Sequence, residues 1–373
     1  MAIAYWFIVA AFVLSAVMGR LLIPRVLVIS YKHQLFDIPD SRKVHDHPIP
    51  RLGGLTFFPV ITISLSLLMA LRYMFGWEVV NLSASTVLVE FMMLLAGSCL
   101  LYVVGVGDDL IGVGYRSKFV VQIICGILLA SSGLWMHSLG GFFGIESVPE
   151  WLGWLMAVFI TVYITNAFNL IDGIDGLASG LTAIALLVFG MIFVVERQLI
   201  YAMIAFSTLG VIVPFWFYNV FGNSFKGKKI FMGDTGSLTL GYIMSFLLLR
   251  IILTGYEQKG WPDFTVIAIS ALLVPSFDVI RVALHRIRKH RNPFKPDRNH
   301  IHHKLMRAGM RMRNVLITII CIAVFYIVFN YALSHCFDIN ITLILIIDFF
   351  LWGVLHLVLN KQIKKVEGIP HSI

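Results

Sequence analysis

The sequence consists of long runs of apolar residues that are separated by shorter polar connections. A helix needs about 20 residues to cross the hydrocarbon core of a bilayer, and eleven of the runs approach or exceed that length. They lie near residues 2–22, 54–74, 87–107, 118–136, 151–168, 177–195, 200–219, 236–255, 264–285, 314–334 and 340–359. This pattern predicts an all-α, polytopic integral membrane protein with about eleven transmembrane helices and its two ends on opposite sides of the membrane.

The composition leads to the same fold class. Of the 373 residues, 59% are hydrophobic and 13% are charged, and the mean hydropathy is +0.88. A soluble domain with this balance would expose far too much apolar surface. The four cysteines show no CxxC spacing, which argues against a zinc site or a disulfide framework. We expect a single transmembrane domain over residues 1–373, with the candidate motifs between about 40 and 305.

Basic residues are distributed unevenly among the connections. Of the 29 Lys and Arg residues, all but Arg72, Arg197, Arg250 and Lys259 fall in or beside alternate connections or in the C-terminal tail. Cytoplasmic loops carry an excess of Lys and Arg, so the basic face is predicted to be cytoplasmic and the N-terminus external. No basic residue precedes the first apolar run, which predicts a retained helix and not a cleaved signal.

The stretch NAFNLIDGIDGLASG, residues 166–180, places polar side chains between two apolar runs. On a helix, Asp172 and Asp175 would share one face, and the intervening glycines would leave that face open to a ligand. Ionised carboxylates beside lipid are costly, so they usually face a polar cavity, a partner charge or a metal. Together with Asn169 they are candidate site residues. The alternative is two solvated acids in a loop with turn glycines.

The first basic connection, residues 41–54, contains two prolines and ends in a glycine pair. The prolines prevent a regular helix there, and backbone amides at a glycine-rich helix start can receive a phosphate. Gly54 would supply such an amide, while Lys43 and Arg51 would supply charge. The alternative is a basic loop that binds lipid headgroups.

Acidic residues also follow the third apolar run and precede the eighth. Adjacent carboxylates such as Asp108 and Asp109 repel each other unless a cation neutralises them, and hard oxygen ligands suit Mg²⁺ or Mn²⁺. The alternative for this pair is ordinary surface acids. Asp234 lies between Gly233 and Gly236 at the start of an apolar run. It is either a further metal ligand or a residue of a helix N-terminus.

The last large connection contains the sequence PDRNHIHH with basic residues on both sides. Its candidate binding residues are Arg291, Arg298, His300, His302 and His303. Three histidines allow a zinc site, but no cysteine accompanies them, and cations at this density fit a pyrophosphate better. A solvated basic loop is the remaining alternative.

Four motifs in this order, GDDLIG, NAFNLIDGIDG, FMGDTGS and PDRNHIHH, closely resemble those of the polyprenyl-phosphate N-acetylhexosamine-1-phosphate transferases. The histidine stretch is similar to that of the branch that uses UDP-N-acetylglucosamine (UDP-GlcNAc) and undecaprenyl phosphate. That branch starts enterobacterial common antigen, O-antigen and wall teichoic acid synthesis. The HHHFE motif of the related phospho-MurNAc-pentapeptide translocases is absent.

The resemblance implies ten or eleven helices, a cytoplasmic active site and a requirement for Mg²⁺, with Mn²⁺ as an alternative. The implied catalytic residues are Asp108, Asp109, Lys118, Asp172 and Asp175, and the implied metal ligands are Asp234 with Asp109 or Asp172. The expected substrate-binding residues are Lys43, Arg51, Gly54, Asn169, Arg291, Arg298, His300, His302 and His303. Many relatives have a third acid three residues after the acidic pair, where this chain has Gly112, so that acid is not expected to be essential here.

We therefore expect a transferase in the bacterial inner (plasma) membrane. It would transfer GlcNAc-1-phosphate from UDP-GlcNAc to undecaprenyl phosphate and release UMP. Another UDP-N-acetyl-aminosugar or UDP-MurNAc-pentapeptide is the alternative donor. An ion-coupled transporter is the alternative class, because acids within membrane segments also mark ion paths. The expected partners are the two substrates and the bilayer, with no nucleic acid; a homodimer is left open.

Overall fold

The computed structural model describes residues 2–37, 48–76, 84–139, 142–145, 147–257, 262–290, 292 and 299–368. Thirteen α-helices dominate this part of the chain. They are α1 (Ala2–Lys32), α2 (Phe57–Met74), α3 (Ala84–Ile111), α4 (Tyr115–Ser131), α5 (Glu150–Ile171), α6 (Leu177–Val195), α7 (Leu199–Phe221), α8 (Gly233–Glu257), α9 (Pro262–Ala271), α10 (Leu273–Arg288), α11 (Ile301–Arg307), α12 (Met312–His335) and α13 (Ile341–Glu367).

Only short elements interrupt these helices. Two 3-10 turns occupy Gly53–Thr56 and Phe142–Gly144. The two-residue strands β1 (Phe36–Asp37), before the first basic connection, and β2 (Ile49–Pro50), within it, pair in an antiparallel manner. The predicted all-α, polytopic fold is confirmed.

Each of the eleven predicted apolar runs coincides with a helix or a pair of helices. Nine helices within the described ranges are long and apolar enough to cross a membrane. The run near 264–285 is α9 followed by α10, with a bend of 59° between them. The run near 118–136 contains α4, which has 17 residues. The count of eleven spans stays a prediction, because length and composition support nine, or ten with the bent pair.

Helix α8 is the centre of the bundle, and nearly all of its residues are buried. It packs against α3, α5, α6 and α9. Small residues allow the closest approaches: a Cβ on Gly241 would lie 2.6 Å from Cα of Thr165 in α5, and one on Gly105 of α3 would lie 2.4 Å from Cα of Thr235. The N-terminus of α8 is therefore held tightly against the C-terminal end of α3.

Buried charges at the other end of the bundle lie outside the predicted motifs. Arg250 near the end of α8 lies 3.4 Å from Glu90 near the start of α3, and both side chains are almost fully buried. Tyr201 donates a hydrogen bond to Glu90, and the guanidinium of Arg250 lies over the Tyr201 ring. A buried ion pair with these additional partners fixes the relative placement of α3, α7 and α8.

Candidate active site

The end of α3 and the starts of α4 and α8 bring together two acids and one lysine. The Nζ of Lys118 lies 2.6 Å from Oδ2 of Asp234 and 3.1 Å from Oδ2 of Asp108. The other Asp108 oxygen accepts a 2.7 Å hydrogen bond from the amide of Val113. Residues from two separate predicted motifs and the lysine that follows the first of them thus form one charged group at a single end of the bundle.

The turn after α3 explains why this chain has a glycine, Gly112, where many relatives have a third acid. The amide of Gly112 donates to the carbonyl of Asp108 at 3.0 Å. Its φ is +76°, in the left-handed region that glycine adopts without steric cost. This turn directs the chain from Asp108 to Lys118.

Asp109 has a different role from Asp108. Its Oδ1 accepts from the amide of Asp234 at 2.9 Å, and its Oδ2 accepts from the amide and the hydroxyl of Thr235 at 3.0 and 2.6 Å. An anion is favourable at the unpaired amides of a helix N-terminus. The structure therefore makes Asp109 the acceptor that fixes the N-terminus of α8. It disfavours the predicted metal-binding role, because three donors already occupy the carboxylate.

The first basic connection packs against the segment that leads into α8. The amides of Gly53 and Gly54 donate to the carbonyls of Phe231 and Met232 at 2.9 and 2.8 Å. A Cβ on Gly54 would lie 2.1 Å from the amide nitrogen of Gly236. The predicted use of the Gly54 amide for phosphate is corrected here, because a backbone carbonyl already accepts from this amide.

The basic residues of this connection have separate outcomes. Arg51 donates from Nε to the carbonyl of Asp109 at 2.8 Å, so it lies beside the acidic pair. Lys43 lies outside the described residues.

The central acids lie in a loop and not on a helix. α5 ends at Ile171 and α6 begins at Leu177, so the expectation of one shared helical face is wrong. The left-handed φ of Gly176, +76°, makes the turn into α6. Asp175 forms a 2.5 Å ion pair with Lys229.

Asp172 is the least neutralised acid of the site. Its side chain is open to solvent, but protein groups crowd around it, and it has no hydrogen-bond or ion-pair partner among the described residues. Loss of hydration raises the pKa of Asp172 to about 7, and the charges of Asp234, Asp175 and Asp109 add to the increase. Asn169 lies close to the start of α8, because its Nδ2 donates to Oγ of Ser237 at 2.9 Å.

A buried acid in α10 organises the histidine loop. The oxygens of Asp278 accept from Nδ1 of His300 and the amide of Ile301 at 2.8 and 2.9 Å, and from Arg281 at 2.8 Å. Our sequence analysis missed Asp278. The available signal was its position as the sole acid in the apolar run near 264–285, since an acid within such a run needs buried partners.

His302 brings this loop to the central acids. Its side chain is buried, and a Cβ on Gly173 would lie 2.3 Å from its Nε2, so the imidazole lies directly against the residue that follows Asp172. Loss of hydration lowers the pKa of His302 to about 3, with a further contribution from His303, and the ring is neutral at physiological pH. The rings of His302 and His303 are 4.2 Å apart. Arg291 and Arg298 lie outside the described residues.

The arrangement suits an anionic ligand that brings its own cation. No three His, Cys, Asp or Glu side chains within the described ranges form a ready metal centre. Mg²⁺ commonly uses only one or two carboxylates and completes its shell with water and substrate phosphates. Asp234 and Asp172 are the residues best placed to serve as such ligands, because Asp172 has no partner among the described residues and Asp234 is close enough to raise the pKa of Asp172.

Comparisons with known proteins agree on one family. Residues 91–252 match the family described as glycosyl transferase family 4. A protein from Bacillus subtilis (strain 168), named "probable undecaprenyl-phosphate N-acetylglucosaminyl 1-phosphate transferase", is 33% identical over 319 residues, or 84% of this chain and 81% of that protein.

Two further relatives have nearly the same name, "undecaprenyl-phosphate alpha-N-acetylglucosaminyl 1-phosphate transferase". The Yersinia pestis protein is 32% identical over 293 residues, which is 78% of this chain and 74% of that protein. The Escherichia coli (strain K12) protein is 31% identical over 330 residues, which is 87% of this chain and 84% of that protein.

Proposed function

Because this chain belongs to the family of polyprenyl-phosphate N-acetylhexosamine-1-phosphate transferases, we propose that it transfers GlcNAc-1-phosphate from UDP-GlcNAc to undecaprenyl phosphate and releases UMP. As a family member it is a membrane enzyme that transfers a sugar phosphate to a polyprenyl phosphate. The names of its relatives contain both undecaprenyl phosphate and the N-acetylglucosaminyl 1-phosphate group. UDP as the carrier of the sugar and UMP as the product are our inference.

The observation that carries the proposal is the contact of Lys118 with both Asp108 and Asp234. It joins two acidic motifs to one cation at the end of the bundle where the histidine loop also lies. Phosphoryl transfer needs charge neutralisation and in-line alignment more than covalent chemistry. A group of acids and cations at one end of a membrane bundle suits both needs: it can neutralise the charge of two phosphate substrates and hold them in line.

The donor set fits Mg²⁺. Asp172 contacts no cation among the residues that the structure describes. Loss of hydration and then the nearby carboxylates raise its pKa, and a bound divalent cation would relieve the repulsion from those carboxylates. We propose that Asp234 and Asp172 hold the metal, with Asp108 next to them. When bound, the metal would neutralise charge on the diphosphate of the donor.

The chain's own residues have three tasks in this mechanism. Lys118 keeps Asp108 and Asp234 together and is available to bind a phosphate oxygen. Asp108 positions the acceptor phosphate or the metal. The histidine loop, with Arg298, binds the nucleotide and the departing UMP. Asp109 and Asp278 position these groups through the N-terminus of α8 and through His300.

We propose direct attack by the acceptor. A phosphate monoester has a second pKa of about 6, so much of the lipid phosphate is already dianionic at neutral pH. Its oxygen attacks the β-phosphorus of UDP-GlcNAc, a new bond forms between them, and the bond from that phosphorus to the bridging oxygen breaks. The electron pair leaves with UMP. A carboxylate nucleophile would be weaker than the acceptor that is already present.

The orientation in the membrane is part of the proposal. The basic connections support a cytoplasmic active site, an external N-terminus and a cytoplasmic C-terminus in a bacterial plasma membrane. The transporter alternative is disfavoured, because the acids lie at one end of the bundle and beside cations that suit a cytosolic anion.

A donor comparison tests this function. Purified full-length protein is supplied with undecaprenyl phosphate, Mg²⁺ and one of three donors: UDP-GlcNAc, UDP-GalNAc or UDP-MurNAc-pentapeptide. We expect undecaprenyl-diphospho-GlcNAc and an equal amount of UMP, with the highest kcat/KM for UDP-GlcNAc, because HIHH replaces HHHFE in this chain. A higher kcat/KM for another donor would mean that UDP-GlcNAc is not the preferred donor. No transfer from any of the three donors would contradict the proposed reaction.

A further inference from the structure

The last helix contacts the histidine loop, although it lies outside the recognised motifs. The buried His356 of α13 places its Nδ1 3.4 Å from Nζ of Lys304 in α11. A second contact lies at the surface, where Arg307 of α11 donates to both carboxylate oxygens of Glu367 at 2.9 and 3.2 Å. The two contacts differ in chemistry, because only the second is an ion pair.

In the part of the chain that the structure describes, Lys304 is a cation without an acidic partner. No carboxylate within the described ranges lies at ion-pair distance from its Nζ, and Asp278, the acid of this cluster, is occupied by Arg281, His300 and Ile301. Loss of hydration and the neighbouring charge of Arg281 lower the pKa of Lys304 to about 8. Among the described residues, its ammonium therefore has no carboxylate in direct contact, and only the charge of Asp278 acts on it from a greater distance.

Several hydrogen-bonding groups in this region also lack partners within the described ranges. The Nε of Arg281, both ring nitrogens of His302 and the Nε2 of His356 are buried there and make no hydrogen bond with any described residue. Buried polar groups are almost always paired in a complete structure. A cluster of unpaired hydrogen-bonding groups that includes several N–H donors and an excess of positive charge suits a ligand with several anionic oxygens.

We propose that Lys304 binds the anionic part of the nucleotide sugar and that His356 is a positioning residue that holds the Lys304 ammonium in place. A neutral imidazole suits this task, because Nδ1 accepts a hydrogen bond and leaves the positive charge for the ligand. The inference rests on the proposed function, since it extends that binding site to α13.

Two variants at position 356 test the acceptor. His356→Leu removes it, whereas His356→Asn replaces it with an amide oxygen at a similar distance from the backbone. A hydrogen bond to a charged group contributes enough that His356→Leu should raise the KM for UDP-GlcNAc about tenfold. The KM for undecaprenyl phosphate and kcat should stay within about twofold, and His356→Asn should recover most of the loss.

Glu367→Gln is the matched control, because it weakens the other contact between α11 and α13. If His356 acts only by fixing α13 to α11, Glu367→Gln should raise the KM for UDP-GlcNAc as well. We expect no change in this variant. A similar increase in Glu367→Gln and His356→Leu would overturn the positioning role.

A double-mutant cycle identifies Lys304 as the residue through which His356 acts. Lys304→Met alone should raise the KM for UDP-GlcNAc at least as much as His356→Leu, and the double variant should be no worse than Lys304→Met. Additive losses would contradict the proposal. An unchanged KM in Lys304→Met would do so even if His356→Leu failed to fold.

Equilibrium binding of UDP separates this inference from the proposed function. One outcome is that the wild type transfers GlcNAc while the variants bind UDP and UDP-GlcNAc with the same affinity as the wild type. In that case only the inference fails. If the wild type binds UDP but transfers no sugar, the function fails, and the affinity ratio between wild type and variants still decides the inference. Absence of UDP binding in the wild type would contradict both.

Discussion

Asp109 at the end of α3 accepts two hydrogen bonds from Thr235 at the start of α8, one from its amide at 3.0 Å and one from its hydroxyl at 2.6 Å. Asp108, the next residue toward the N-terminus, contacts Lys118. Adjacent residues on a helix point in different directions, so two neighbouring carboxylates serve two purposes. One fixes the backbone of the site, and the other faces its charges.

Asp109→Asn should destabilise the protein, because an amide offers one acceptor oxygen in place of two and carries no charge for the N-terminus of α8. We expect a loss of about 1–3 kcal/mol in the free energy of unfolding and a lower midpoint of thermal unfolding in detergent. Asp108→Asn is the comparison and should keep the wild-type midpoint while losing activity. Should Asp109→Asn instead keep the midpoint and lose only its response to Mg²⁺, Asp109 is a metal ligand after all.

Asp234→Asn should abolish transfer without unfolding the protein, because an amide is a poor substitute for an anionic Mg²⁺ ligand. Glu257→Gln provides the control, since Glu257 is the last residue of the same helix and half-exposed at its far end. That variant should retain activity. Activity is measured with UDP-GlcNAc over a range of Mg²⁺ concentrations. Near-normal turnover of Asp234→Asn at any of these concentrations would contradict the assignment of Asp234 as a metal ligand.

Metal binding should weaken in acid because of Asp172. With a pKa of about 7, this carboxyl is protonated and neutral below that pH, and a metal must displace the proton. The dissociation constant for Mn²⁺, followed by electron paramagnetic resonance, should rise as pH falls from 8 to 6, by up to about tenfold per unit below 7. Asp172→Asn should bind weakly with little pH dependence. A pH-independent affinity in the wild type would contradict this assignment.

The orientation can be read from cysteine labelling in intact cells. Cys336 follows α12 and is exposed, and the distribution of basic residues predicts that it lies outside. With the other three cysteines replaced by alanine, an impermeant maleimide should label Cys336. After Cys336→Ala, a Phe225→Cys variant, at an exposed position in the basic connection before α8, should react only after permeabilisation. The opposite labelling pattern would contradict the predicted orientation and indicate the inverse topology.

Sequence reasoning located the apolar helices and singled out acids and histidines that the fold brings near one another, but it missed Asp278 and did not show how these residues contact one another. Hydropathy is local, so it located each run. The contact between Asp109 and Thr235 joins positions 126 residues apart, and no local pattern distinguishes a carboxylate that binds amides from one that faces a ligand. The segment around Asp172 suggested one helical face, yet the left-handed Gly176 keeps it in a loop. His356 lies in an ordinary apolar run, and only folding brings it to Lys304.

The central claim is a single transfer from the nucleotide sugar to the lipid. It is tested most directly by mixing stoichiometric enzyme with UDP-GlcNAc labelled at the β-phosphorus, with and without undecaprenyl phosphate, and following UMP and the label together. We predict no UMP without the lipid, and with it equal amounts of UMP and labelled undecaprenyl-diphospho-GlcNAc. A stoichiometric burst of UMP in the absence of lipid, with the label retained on the protein, would contradict direct transfer.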